Sequence, residues 1–481
     1  MRASSHRSAP RLTAVAAATF VALLASNGSR AQDAAALDAR LRALVAEAAL
    51  GESVSITVAD AATGAVLFSH QPDLALNPAS NMKIVTAAVA LETLGAEHRM
   101  LTGLYGRIEG DAVVGGLALR GLGDPSLRRE GLVDLALQLE DRGVRRVDTV
   151  IVDAGYFDDQ LLPPAFDQQP GEVAPFRAAT GAVSIDAAAY VLRIRPGDAV
   201  GSPARIDLDG ADYFVLDHQL TTSEGGAPNV IADQRADGEH MRLTLRGTIP
   251  LGAAPLSYRR RIEHPLYWTG HVLREALEAV GIRVGEGVRL GRAEGRPLLA
   301  SRRSAPLSHL LDAMGKDSDN YVAEMVFRVL GAERRTPGTV ESSAAVVSEA
   351  LVRAGVPAGS FEVVNGSGLF RGNRIASSHL VRLLCRAYQS PALRDEFVAH
   401  LAIAGVDGTL EGRLRDLPAP RIVRAKTGTL NDAIALSGYV LGPEPGRTVA
   451  FSVLTNGVAG RHGPARTLAD GVAQAIAEHL H

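Results

Sequence analysis

Apolar residues recur at helical spacing from Asp33 to Leu50, which predicts an amphipathic helix. The period then changes: SVSITVAD and AVLFSH alternate on either side of the turn AATG and predict a β-hairpin. The next stretch, NPASNMKIVTAAVALETLG, has Pro78 near its start and Gly95 at its end, and a helix is predicted between them. Ile84, Val85, Ala87, Ala88, Val89, Leu91 and Leu94 make that helix apolar nearly all round, so it should lie buried in a domain centre. From about His98 to Pro265 the texture is short alternating runs, among them AAYVLRIRPG, ARIDL, YFVLDH and HMRLTLRGTI, separated by Gly, Pro and Asp turns. This region reads as β-rich, with one helix at REGLVDLALQLEDRG. Helical periodicity returns at YWTGHVLREALEAVG and persists to about Tyr388. The chain closes with three strands, RIVRAKTGTL, IALSGYVLG and TVAFSVLTN, and a last helix, ARTLADGVAQAIAEHL.

The economical assembly is an α/β (α+β) protein in which one domain interrupts another. Residues 32–97 and 264–481 are expected to form an antiparallel sheet flanked by helices, and residues 98–263 a β-rich inserted domain. A length of 481 residues suits two or three domains. A formal net charge of −3 gives no electrostatic footing for nucleic acid, and 4% aromatic residues leave few base-stacking platforms.

The first residues, MRASSHRSAPRLTAVAAATFVALLASNGSRAQDAA, place Arg2, Arg7 and Arg11 before an apolar or small run from Leu12 to Ala25. Ser29-Arg30-Ala31 then offers small residues at the two positions a signal peptidase inspects. The expectation is a secretory signal peptide over residues 1–31, cut after Ala31. The run is shorter than the roughly 20 residues a spanning helix requires, so at most peripheral membrane contact is expected. Cys385 is the single cysteine, so no internal disulfide forms, and the 13 histidines show no ligand spacing. No metal or other cofactor is expected.

Of the 50 Lys and Arg residues only three are lysine: Lys83, Lys316 and Lys426. An ammonium, unlike a guanidinium, can be neutralised by burial or a like-charged neighbour. Lys83 follows Ser80 by three residues at the start of the buried helix, a spacing that lets hydroxyl and amine meet on one face. Lys426 begins K-T-G on a predicted strand, where alternation sends Lys426 and Gly428 to one face and Thr427 and Thr429 to the other. A glycine on the site face would let a substrate backbone approach closely. Lys316 precedes D-S-D-N, where Ser318 and Asn320 stand at a loop-to-helix junction. S-x-x-K, S-D-N and K-T-G in this order form the motif set of class A β-lactamases and penicillin-binding proteins.

With these motifs the chain resembles the low-molecular-mass penicillin-binding proteins of peptidase family S13, D-alanyl-D-alanine carboxypeptidases/endopeptidases. GLGDPSL, VNGSGLFRGNRIA and GVDGTLEGRL resemble further family segments, with Asn365 and Phe370 where the family has Asp and Ser. The separation of 238 positions from Ser80 to Ser318 calls for an insertion of domain size, which the family has at this point. The resemblance implies a penicillin-binding/β-lactamase-like transpeptidase fold, peptidoglycan stem peptides as substrates, β-lactams as covalent inhibitors and a periplasmic location. It implies Ser80 as nucleophile and Lys83, held neutral by burial and by Lys426, as its base. Ser318 would relay a proton and Asn320 would orient Lys83 and the substrate amide. Lys426, Thr427 and Thr429 would bind the substrate carboxylate, and the N–H groups of Ser80 and Thr429 the oxyanion. Asp158 and Asp159 in YFDDQ are candidates for holding a substrate ammonium. A serine β-lactamase and a catalytically silent wall-binding or sensor module remain alternatives at this point.

Overall fold

The computed structural model describes residues 33–481 apart from 170 and 445; the expected signal peptide lies outside them. A six-stranded sheet runs Ala402–Ile403, Val423–Leu430, Ala433–Leu441, Thr448–Asn456, Val54–Asp60, Val66–His70, every neighbouring pair antiparallel. The register Val54↔Thr455 through Asp60↔Val449 stitches the early hairpin to the end of the chain. Alternation assigns the two faces. Ile434, Leu436 and Val440 pack with the helix at residues 33–48 and the final helix His462–Leu480. Ala435 and Tyr439 pack with the helices Met82–Leu94, Asn320–Arg334, Val340–Arg353 and Ser377–Gln389. Met82 to Leu91 is buried without a break, as its all-round apolar pattern predicts.

The middle of the chain builds a seven-stranded sheet and two three-stranded sheets over a separate core. This assembly reaches further along the chain than expected. Val288–Gly291 pairs parallel with Val150–Asp153, Leu298–Arg303 pairs with Leu101–Glu109, and the helix Pro265–Ala279 buries Leu266, Trp268, Val272 and Leu273 in the same core. The chain leaves and re-enters side by side, with Leu307 N–H bonded to His98 O at 2.8 Å and Ser304 N–H to Met100 O at 2.9 Å. We therefore propose that the insertion runs from 98 to 303 rather than ending at 263. The reason is physical: an amphipathic helix reads the same whichever sheet it covers, and only strand pairing says which one it is.

The insertion is tied to the first domain through Asp158, one of the two candidates for holding a substrate ammonium. Its carboxylate accepts from Arg328 Nη2 at 2.6 Å, on a guanidinium only 3% exposed that also stacks over Phe157. Burial pushes the Arg328 guanidinium down, and the charge and hydrogen bond of Asp158 oppose that, so Asp158 is the counter-charge that compensates its burial. Asp159 is exposed. Replacing Asp158 with Ala should lower unfolding free energy by roughly 2–3 kcal/mol in urea melts. The KM for an amine-bearing stem peptide should stay unchanged.

Candidate active site

Ser80 lies in a single 3-10 turn, Ala79–Asn81, that leads directly into the helix Met82–Leu94. Ala79 is held at φ 48°, a left-handed conformation unusual for alanine. Asn77 fixes it: its Oδ1 accepts the Ala79 N–H at 2.9 Å, and its Nδ2 donates to the Phe370 carbonyl at 3.0 Å. Asn456, at the end of the strand Thr448–Asn456, bonds both the Asn77 N–H and the Asn77 carbonyl. The turn is thus clamped between the sheet and the segment 365–373, and Ser80 is left half-buried at its apex.

Lys83 is 1% exposed, and its ammonium meets three acceptors from three places in the chain. Nζ lies 3.0 Å from Ser80 Oγ, 2.7 Å from Asn320 Oδ1 and 2.8 Å from the Ser367 carbonyl. Burial lowers its pKa to about 7, against the pull of Glu324 and then Asp319. Of the two causes expected to hold Lys83 neutral, burial and the charge of Lys426, burial dominates. Desolvation does that work, and Lys426, buried and repelled by Lys83, is itself pushed well below its ordinary value.

Asn320 opens the helix Asn320–Arg334, whose N-cap is Asp319, its side chain accepting the Val322 N–H at 3.0 Å. Asn320 Nδ2 donates to the Phe176 carbonyl at 3.1 Å, which turns Oδ1 toward Lys83. Ser318 takes φ 62° and is partly exposed; among the described residues its hydroxyl makes no hydrogen bond. Its neighbours bracket it. Asn320 reaches Lys83, while Lys316 pairs with Asp407 at 2.8 Å and its carbonyl accepts the Thr409 N–H at 3.0 Å. Thr409 in turn accepts from Thr427 Oγ1 at 2.8 Å, so GVDGTL joins the S-D-N loop to the K-T-G strand.

On that strand Lys426 opposes Ser437 and Gly428 opposes Ala435, which puts both on the face that packs against the helix Met82–Leu94. A Cβ on Gly428 would stand 3.0 Å from the Pro78 carbonyl and 3.1 Å from Ala79 Cβ. The backbone that approaches this glycine is the protein's own, the turn that carries Ser80. Thr427 is bonded to Thr409 and Thr429 is exposed. Ala402–Ile403 covers only Ala425 and Arg424, so among the described residues no strand lies on the outer edge from Lys426 to Leu430.

Several participants lie outside the three catalytic motifs. Ser367 serves Lys83 through its main chain, for which any residue type would do. Glu324 is 2% exposed and accepts the N–H groups of Ser367 at 2.8 Å and Gly366 at 3.2 Å. Its position one turn after Asn320 is the only signal the sequence held for it. Asn365, where the family has Asp, accepts the Gly368 N–H at 2.9 Å and donates to the carbonyls of Pro164 and Leu369. The fully buried Arg177 gathers the carbonyls of Phe166, Gln169 and Glu172, folding the insertion's loop so that the Phe176 carbonyl reaches Asn320. Among the described residues no group of three or more His, Cys, Asp or Glu is placed to hold a metal ion.

Residues 37–478 match the D-Ala-D-Ala carboxypeptidase 3 (S13) family. A D-alanyl-D-alanine carboxypeptidase of Actinomadura sp. (strain R39) is 34% identical over 99% of this chain and 90% of its own length. Penicillin binding protein 4 of Haemophilus influenzae superposes with a TM-score of 0.74 at 24% identity, covering 87% of this chain and 93% of that one. Its complex with a β-lactam superposes at 0.71 and 23% identity, with the same coverage.

Two substitutions test the geometry. Lys83→Arg retains charge but removes the titratable amine, and should abolish acylation of Ser80, read by mass spectrometry, in a protein that still melts cooperatively. Gly428→Ala forces a shift of a few tenths of an ångström against Pro78 and Ala79. It should slow acylation by roughly tenfold or more while leaving the melting temperature nearly unchanged.

Proposed function

Because the chain belongs to the D-Ala-D-Ala carboxypeptidase 3 (S13) family, we propose that the groups around Lys83 perform its serine peptidase chemistry. The protein is a serine D,D-peptidase that acts on peptidoglycan stem peptides through an acyl-enzyme and is acylated by β-lactams. The observation that carries the assignment of roles is the buried Lys83 amine, 3.0 Å from the Ser80 hydroxyl and poised to lose its proton near neutrality.

Lys83 takes the Ser80 proton as Oγ attacks the carbonyl carbon of the penultimate D-Ala. The tetrahedral oxyanion settles between the N–H groups of Ser80 and Thr429, each donor typically worth about 3–4 kcal/mol. The contact of Gly428 with Ala79 supports this pairing, since Ser80 and Thr429 each follow one residue beyond it. The C–N bond then breaks, and the amine leaves with a proton relayed through Ser318. Water hydrolyses the ester and restores Ser80. Asn320 orients Lys83, with one amide hydrogen on Phe176 and the other available to the substrate. The stem peptide lies along the open edge of the strand Val423–Leu430, whose main chain offers unpaired donors and acceptors. Its carboxylate reaches Lys426, with Thr427 and Thr429 beside it. A carboxylate arriving there restores the proton affinity that burial has removed from Lys426. The basic and apolar leader supports export to the periplasm, where this substrate lies. Among the described residues no helix is long and apolar enough to cross a membrane.

A fluorescent penicillin should leave a stable adduct on Ser80; rapid turnover without label would identify a β-lactamase instead. Purified muropeptides should lose D-Ala, or their D-Ala–diamino acid cross-links, by mass; inertness toward both rules out the peptidase assignment. The sign of the pH dependence follows from Lys83. Its amine is protonated below about 7, so the acylation rate should fall about tenfold per unit on the acid side and level off above it.

A further inference from the structure

Glu324 takes no part in the proton transfers above, yet it is a buried carboxylate one residue removed from their centre. It projects from the same helix face as Asn320, and its two oxygens are occupied by the N–H groups of Ser367 and Gly366. The Ser367 carbonyl, in turn, is the acceptor on which Lys83 Nζ rests at 2.8 Å. Arg328, the next turn along the helix, has Asp158 as its carboxylate partner. We propose that Glu324 is a positioning residue: it holds the Ser367 carbonyl under the Lys83 amine and supplies the negative charge that keeps this amine basic enough to take the Ser80 proton. The inference rests on the roles proposed for Ser80 and Lys83.

The other charges around Lys83 are few. Its own helix carries only Glu92, engaged by Arg386 and Arg353. The helix Asn320–Arg334 contributes Asp319 besides Glu324, and the strand Val423–Leu430 contributes Lys426, which lies near Asp317. The insertion's loop brings Arg177 with Glu172 and Asp167, and the segment 365–373 brings Arg371, which is exposed. Burial favours the free amine, while Glu324 and Asp319 favour the ammonium. Without Glu324 the balance tips, and Lys83 releases its proton at lower pH but is a weaker base when it does. Burial raises the Glu324 carboxyl, and its hydrogen bonds from Ser367 and Gly366 and the charge of Lys83 oppose that rise.

The test is the rate constant for acylation by a fluorescent penicillin from about pH 5 to about pH 9. In Glu324→Gln, which preserves shape, the half-maximal pH should move down by roughly one unit or more, with a lower plateau. Glu324→Asp retains the charge and should titrate close to wild type. An unchanged midpoint in Glu324→Gln, even with a reduced plateau, overturns the proposal, because support of the loop alone moves rates and not the midpoint. So does a midpoint in Glu324→Asp that falls as far as in Gln. A readout independent of acylation exists because the chain has only three lysines. Carbon-13 lysine labelling gives three side-chain signals, and the Lys83 titration should move down in Glu324→Gln; coincident titrations in wild type and variant overturn the proposal. A wild-type protein that penicillin does not acylate would refute the roles of Ser80 and Lys83, while the lysine titration would still decide the effect of Glu324.

Discussion

The site depends on the burial of one amine. Removing a lysine ammonium from water costs several kcal/mol unless its three protons find acceptors. Ser80, Asn320 and Ser367 provide them from sites up to 284 positions away in the chain. The same desolvation that makes Lys83 costly to bury brings its proton affinity to about 7, where an amine can act as a base. Structural cost and chemical use are two aspects of one arrangement.

Close packing of main chain against main chain keeps the three acceptors in register. Gly368, at φ 76°, lies where a Cβ would fall 1.8 Å from the Ala79 carbonyl, and Gly428 closes on the same turn from the strand side. The Ser80 turn is therefore gripped between two glycines. No side chain could enter either contact without moving the turn that carries Ser80. The strained φ of Ala79 persists because Asn77 and Asn456 hold the turn from below.

The inserted region contributes more than bulk. Its loop, gathered around the Arg177 guanidinium, presents the Phe176 carbonyl to Asn320 and the Pro164 carbonyl to Asn365. Its Asp158 neutralises Arg328 on the helix that carries both Asn320 and Glu324. Through these contacts the orientation of the amide nearest the Lys83 amine is set partly by a region that supplies none of the three motifs.

The sequence alone determined the hairpin, the all-apolar helix, the closing strands and the motif residues Ser80, Lys83, Asn320 and Lys426. Those features are encoded by local periodicity and by short spacings such as Ser80 to Lys83, which a helix converts directly into proximity. Only the tertiary structure decided that Leu298–Arg303 pairs with Leu101–Glu109 in the middle region, that Gly428 makes room for the protein's own turn, and that Asp158 belongs to Arg328. It alone placed Glu324 and the Ser367 carbonyl beside Lys83. Apart from the spacing of Glu324 from Asn320, each of these rests on pairing between segments far apart in the chain, or on a backbone group common to every residue, and neither leaves a mark in the order of side chains.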